Sequence, residues 1–233
     1  MSEDQSLLDN MAWHALQGPQ TALADRSDNG AAAKYQRKVS PICAVDTTGP
    51  QSWEGLAQLV GEGGVASLFR GEVGTTPAGW KELFREEVTQ YVSTDLPPPG
   101  DEVELIELGA ADSEEMVALA KLTEPGPFSA ETYKTGRYFG HRHNGALIAM
   151  AGERMRVAGW GEVSAVCVHP DGVRQGLGGI LTLAAAQAIQ ARGDRACLHV
   201  RDGNDPAHGL YRKLGFEVRR TIEVGVYRYV GDQ

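Results

Sequence analysis

Between Val163 and Gly179 the chain reads V-S-A-V-C-V-H-P-D-G-V-R-Q-G-L-G-G. A β-branched strand runs through a short polar turn into glycines and then into a helix, and that order restricts what the chain can fold into more than any other feature. Gly176, Gly178 and Gly179 let the backbone approach an anion closely. The helix that begins there presents unpaired N–H groups and the positive end of its dipole. Such a loop suits a pyrophosphate. A second strand follows, ending in Leu198-His199-Val200, then Asn204, then a short helix carrying Ala207 and Tyr211 ahead of Gly215-Phe216.

Taken in order, V-x-V-H-P, x-R-Q-G-x-G-G and N-x-x-A-x-x-x-Y-x-x-x-G-F resemble the GNAT superfamily of acyl-CoA-dependent N-acyltransferases. The resemblance covers Val103 to Val230 as architecture, and its specific motifs lie within Val163 to Phe216. Residues 1–100 carry none of them. It implies an α/β (α+β) fold, with the mixed, splayed sheet of a GNAT acyltransferase at the C-terminus and a smaller N-terminal α/β lobe beside it.

The resemblance also assigns roles. It implies that the backbone of Val166, Cys167 and Val168 pairs with the pantetheine arm of acetyl-CoA, which requires a bulge or splay to free the donors. Arg174, Gln175, Gly176, Leu177, Gly178 and Gly179 take the place of the pyrophosphate loop. Val173 departs from the family's usual Arg or Gln, so one side-chain contact is missing. Asn204 falls where the family bonds the cofactor arm, a position that also suits a turn or cap residue. Tyr211 falls where the family places its general acid, and a phenol of pKa about 10 can protonate a departing thiolate. The Val168 N–H is the candidate oxyanion donor. For the amine's proton, His199 is the candidate base, with Glu162 and Glu153 as rivals on adjacent strands. The expected reaction is acetyl transfer to a primary amine by direct attack in a ternary complex, since no serine or cysteine lies in a nucleophile motif. A noncatalytic acyl-CoA-binding or regulatory protein is the alternative. A nicotinamide-dependent reductase is more distant: the third spaced glycine of G-x-G-x-x-G is Leu181, and no clear ribose acid follows at the expected distance, Asp194 being only near it.

Other features bound the reading. The net charge of −9 over 233 residues lacks the basic footprint of a nucleic-acid or anionic-membrane binder. No apolar run is long enough to span a membrane and no basic-then-apolar leader opens the chain, so a soluble cytoplasmic protein is expected. Cys43, Cys167 and Cys197 are odd in number and widely spaced, which suits buried thiols better than disulfides or zinc. His141 and His143 share one face of a strand but lack a third ligand, so no metal is expected. The acceptor is a small-molecule or peptide amine that the sequence does not identify.

The segment Ser93-Thr94-Asp95-Leu96-Pro97-Pro98-Pro99-Gly100-Asp101 is the clearest break, dividing a lobe over 1–100 from an acetyltransferase domain over 101–233. Before it, the pattern predicts a helix near Ala12 to Ala24, a strand at Ile42 to Asp46, a helix at Trp53 to Val60, and strands at Val65 to Phe69 and Trp80 to Tyr91. That order repeats the order at Arg195 to Val230, so the lobe reads as a degenerate GNAT half, needed for stability or acceptor choice rather than for chemistry. After the break, strands are expected at Val103 to Leu108, Arg137 to His143, Ala146 to Arg156, Gly161 to Val168 and Arg195 to Val200. Helices are expected from Ser113 and from Gly176 to Arg192, the second with Ile180, Leu183, Ala184, Ala188 and Ala191 as its apolar stripe. Asp205 is the expected N-cap of the last helix, and Phe216 to Val230 alternates like the two arms of a hairpin.

Overall fold

The computed structural model describes residues 3–98 and 103–231. After a 3-10 segment over Glu3–Asn10, the order is α1 (Met11–Gln17), β1 (Ala24–Arg26), β2 (Ala32–Tyr35), β3 (Ile42–Val45), α2 (Pro50–Val60), β4 (Val65–Arg70) and β5 (Trp80–Ser93). Then come β6 (Ile106–Leu108), α3 (Ser113–Thr123), β7 (Tyr138–His143), β8 (Ala146–Val157), β9 (Trp160–Val168), α4 (Leu177–Gln190), β10 (Arg195–Arg201), α5 (Asp205–Lys213) and β11 (Phe216–Tyr229). The strands form one mixed sheet in the order β1-β2-β3-β4-β11-β5-β10-β9-β8-β7-β6. Among the described residues, only β3–β4 and β9–β10 pair in parallel.

The expected division into residues 1–100 and 101–233 crosses this sheet. β5, from before residue 100, lies between β10 and β11, from after it, and is antiparallel to both. Pro99, Gly100 and Asp101 of the expected break lie outside the described residues. The expected hairpin over Phe216 to Val230 is instead one strand of 14 residues. It has no turn dipeptide to reverse it, and it finds partners in β4 and β5 on its two edges. The first helix stops at Gln17 rather than Ala24, because Gly18-Pro19 follows and proline is excluded from a helix interior.

Packing ties the two parts together. Leu8, Met11, Ala12, Ala15 and Leu16 share one buried cluster with Met155, Val157, Trp160, Cys197 and Ile222. Buried Gln20 donates to the carbonyls of Thr135 at 2.8 Å and Arg154 at 3.0 Å, and accepts from the Tyr35 hydroxyl at 2.6 Å. α4 lies against β8, β9 and β10. Its buried residues are Leu177, Leu181, Thr182, Leu183, Ala185, Ala186 and Ile189, so of the stripe expected from sequence Leu183 is buried while Ile180, Ala184, Ala188 and Ala191 are not. Nearly every position of this helix is apolar, so the sheet and not the pattern decides which side turns inward. No described helix is long and apolar enough to cross a membrane.

Because β5 carries ladder bonds to both neighbours, a fragment starting at Val103 is expected not to fold. Circular dichroism and gel filtration of that fragment should show an expanded or aggregated chain. A monodisperse fragment with a cooperative melt would contradict the strand order.

Candidate active site

β9 and β10 pair over three positions only, Arg195 with Trp160, Ala196 with Gly161 and Cys197 with Glu162. Beyond them the strands diverge, leaving the β10-facing edge of Val163 to Val168 unpaired. On its other edge β9 meets β8 with a register shift, since Met150 faces Cys167 and Gly152 faces Ser164. Ala165 takes up the extra residue at φ +52°, a left-handed conformation that non-glycine residues seldom hold. The N–H of His169 bonds the Ile148 carbonyl at 2.7 Å. Successive strand amides alternate in direction, so the Val168 N–H points to the open edge. Val166 and Val168 are half-buried on the α4 and α5 side, while Cys167 turns the other way into the core under α3. Burial pushes the Cys167 thiol up to about 12 against a hydrogen bond with Thr123.

At the end of β9 the chain passes through Pro170–Gly172 to Arg174 at φ +72° and Gly176 at φ +74°, and α4 begins at Leu177. The N–H groups of Arg174, Gly176, Leu177 and Gly178 find no acceptor among the described residues. A Cβ on Gly178 would come no nearer than 3.7 Å to any atom. A Cβ there would make ordinary contact with Val168, Leu210 and Val166, so packing does not forbid one, and the position lies at a helix N-terminus with free donors. That arrangement fits a pyrophosphate. Gly179 has less room, with Leu210 at 3.3 Å from a built Cβ. Leu177 anchors the helix in the core, whereas Arg174 and Gln175 are exposed and Gln175 donates to the Asp171 carbonyl at 3.2 Å.

The divergence opens into a cavity of about 350 Å³. One wall carries Tyr211 from α5 and Asn204 at its start, and the inner end carries Glu162, Arg154 and His199. The opposite wall comes from β4, β5 and β11, through Phe69, Val88 and Val224 among others. Tyr211 is 8% exposed, packs edge-on against Phe216, and has a hydroxyl unpaired among the described residues. Burial, with a smaller effect of Cys167, raises its pKa to about 12. Asn204, not Asp205, is the N-cap of α5, and its Oδ1 accepts from the Ala207 N–H at 3.3 Å.

The polar end is held together by hydrogen bonds. Arg154 holds Glu162 in a fork, Nε to Oε2 at 2.9 Å and Nη2 to Oε1 at 2.6 Å. His199 Nδ1 lies 2.6 Å from Oε1, and its Nε2 lies 2.9 Å from the Gln90 amide nitrogen. Burial alone would raise the Glu162 carboxyl, but the Arg154 charge and the hydrogen bonds from Arg154 and His199 overcome it and hold the pKa below the ordinary 4.5. Both ring nitrogens of His199 are engaged, so no lone pair of the expected base is free toward the cavity. Glu153, the other rival, is buried against Arg192 and does not line the cavity. Among the described residues no three His, Cys, Asp or Glu side chains gather as a metal site, His141 and His143 included. The three cysteines are free and buried. Arg154 and Gln90 escaped the sequence reading. The one available signal was two charged residues, Glu153 and Arg154, interrupting the apolar run of β8.

The description FR47-like protein matches residues 138–224, from β7 into β11. A solved acetyltransferase of the GNAT family from Novosphingobium aromaticivorans is 33% identical over 95% of this chain and 98% of its own, with a TM-score of 0.87. The chain belongs to the GNAT family of acetyltransferases. A GCN5-related N-acetyltransferase from Kribbella flavida shares the fold at 20% identity and a TM-score of 0.58, over 93% of this chain. The mycothiol acetyltransferase of Saccharomonospora viridis is 47% identical over 67 residues, which is 28% of this chain and 21% of that protein. The GNAT fold is thus continuous with the first hundred residues, since the Novosphingobium likeness includes them.

Glu162 binds fewer protons folded than unfolded, because its folded pKa of about 2 lies below the ordinary 4.5. Its contribution to stability is therefore complete above about pH 5 and lost as the pH falls toward 2. Urea unfolding between pH 2 and 6 should show that slope, and Glu162→Gln should flatten it. Arg154→Met leaves the carboxylate buried without its cation and should cost about 3–5 kcal/mol.

Proposed function

We propose that this protein transfers the acetyl group of acetyl-CoA to a primary amine, by direct attack with both substrates bound. The observation that carries the reading is the continuity of the site. Free N–H groups at Arg174, Gly176, Leu177 and Gly178 lead along the open edge of β9 to a cavity that both Tyr211 and Glu162 line. Gly176 to Gly179 would hold the pyrophosphate, and the β9 edge at Val166 to Val168 would pair with the pantetheine arm. Asn204, with Oδ1 spent on its cap, keeps its amide N–H groups for that arm. The thioester supplies an activated acetyl carbon and a thiolate leaving group.

Each residue then has a definite task. The Val168 N–H donates to the carbonyl oxygen as negative charge develops on it. A phenol with a pKa of about 12 stays protonated at neutral pH, so Tyr211 holds its proton for the departing sulfur. Glu162 Oε2 accepts from Arg154 Nε alone, whereas Oε1 accepts from both Arg154 and His199. Oε2 therefore has capacity left to receive an N–H of the acceptor amine. A carboxylate of pKa about 2 attracts an ammonium but does not store its proton, so the proton passes on to water in the cavity. His199 orients Glu162 within this unit. The acceptor is a small-molecule or peptide amine, with no part for nucleic acid, membrane or metal, and the reaction takes place in the cytoplasm.

Release of free thiol from acetyl-CoA across a panel of amines tests the activity; CoA binding without thiol release for any amine would favour a noncatalytic binder. Tyr211→Phe is expected to lower kcat by about 10 to 10⁴-fold with KM for acetyl-CoA nearly unchanged. An unchanged kcat would remove Tyr211 from the reaction. Gly178→Glu sets a bulky carboxylate at the loop beside Val166, Val168 and Leu210, so calorimetry should show CoA binding abolished.

A further inference from the structure

Gln90 lies on β5, fully buried and outside the cavity lining. Its amide meets groups whose hydrogen-bonding direction is not negotiable. Oε1 lies 2.7 Å from Arg219 Nη1, and a guanidinium can only donate. Nε2 lies 3.0 Å from the Leu8 carbonyl, which can only accept. The amide is therefore oriented one way, oxygen to Arg219 and NH₂ to Leu8. Reversing it would set donor against donor and acceptor against acceptor, both in the interior.

The second N–H of that amide points at His199 Nε2, 2.9 Å away. Since the amide nitrogen donates, Nε2 must offer a lone pair, and the ring proton sits on Nδ1, directed at Glu162 Oε1. Arg219 is itself fixed, by Asp9 at 2.7 Å and by the Gln5 carbonyl at 2.8 Å. The charged groups around the ring are Glu162 on β9, Arg154 on β8 and, behind Gln90, Arg219 on β11 with Asp9 of the N-terminal 3-10 segment. Phe69 of β4 closes the remaining side, its ring centroid 6.4 Å from that of His199.

We propose that Gln90 is a positioning residue: held by Arg219 and the Leu8 carbonyl, it locks His199 as the Nδ1–H tautomer and through it sets the Glu162 carboxylate for the acceptor amine. The inference rests on the reading of Glu162 as the group that receives the acceptor. It gives the N-terminal residues a part in the chemistry, where sequence suggested stability or acceptor choice alone.

The test uses the full chain labelled with ¹⁵N-histidine. Long-range ¹H–¹⁵N spectra near neutral pH should show the His199 ring neutral with its proton on Nδ1. A proton on Nε2, or on both nitrogens, overturns the proposal without any variant being made. Gln90→Glu keeps an acceptor for Arg219 and turns the donor facing Nε2 into an acceptor, though it also sets an oxygen against the Leu8 carbonyl; in the folded variant the ring should become doubly protonated and kcat should fall roughly 10- to 100-fold, with CoA affinity unchanged. A folded Gln90→Glu protein that keeps the wild-type ring pattern also overturns it. Should that variant not fold, Gln90→Met removes the donor at similar volume, and the single-tautomer pattern should be lost; its retention counts against the lock. If the ring follows Gln90 as expected while kcat and KM for the amine do not move, the lock stands and the assignment of Glu162 to the acceptor is what fails.

Discussion

The parallel ladder between β9 and β10 ends at the pairing of Glu162 with Cys197, and the backbone beyond it must find hydrogen bonds elsewhere. In a buried position that would be costly, because each unpaired amide or carbonyl forfeits its water without compensation. β9 meets the difficulty by facing the unpaired edge into a cleft. The bulge at Ala165 shifts the register against β8 and α4 starts directly under the opening, so the same interruption exposes strand amides and helix amides along one line. The cavity, the glycine loop and Tyr211 are arranged around that line. A continuous β9–β10 ladder would close the edge on which the cavity opens.

At the closed end of the cleft the sheet buries charge instead of backbone. Arg154 and Glu162 are almost without exposure, and each is satisfied only because the other is present. The pair extends through His199 and Gln90 to Arg219 and Asp9, so residues from β5, β8, β9, β10, β11 and the N-terminal segment meet in one hydrogen-bonded chain. Such a network is intolerant of partial loss, since each deletion strands a neighbour in low dielectric. It also explains why a carboxylate can stay ionised in the interior beside the cleft.

Much of this was legible in the sequence, and the boundary of legibility has a physical cause. The strand, loop and helix from Val163 to Gly179 are local: glycines at positive φ, a β-branched run and a helix start are written in consecutive residues. Tyr211 and Asn204 follow at short range, and the motif order located them. The partners of Glu162 were not legible, because Arg154, His199 and Gln90 come together only through pairing between distant strands. A periodic pattern shows that a strand has an inward face but not which strand lies beside it, and so β11 read as a hairpin. The phase of α4 was lost for a related reason, since a helix apolar on all sides carries no preference of its own. The split into two lobes failed to show the shared sheet because Ser93 to Pro98 does interrupt the elements, whereas sheet continuity is made across space.

The place of β5 between β10 and β11 has a kinetic side. Its partners in β10 and β11 lie more than a hundred residues further along the chain, so neither ladder forms by local zippering, and the entropy of closing those loops must be met before the contacts reward it. During synthesis β5 emerges first and waits with both edges open. Its charges suit that interval: Lys81, Glu82, Arg85, Glu86 and Glu87 stud the first half of the strand and oppose pairing with another chain. Once β10 and β11 close over it, the apolar second half around Val88, Tyr91 and Val92 becomes interior, and the amides there should be among the slowest in the molecule to exchange with solvent.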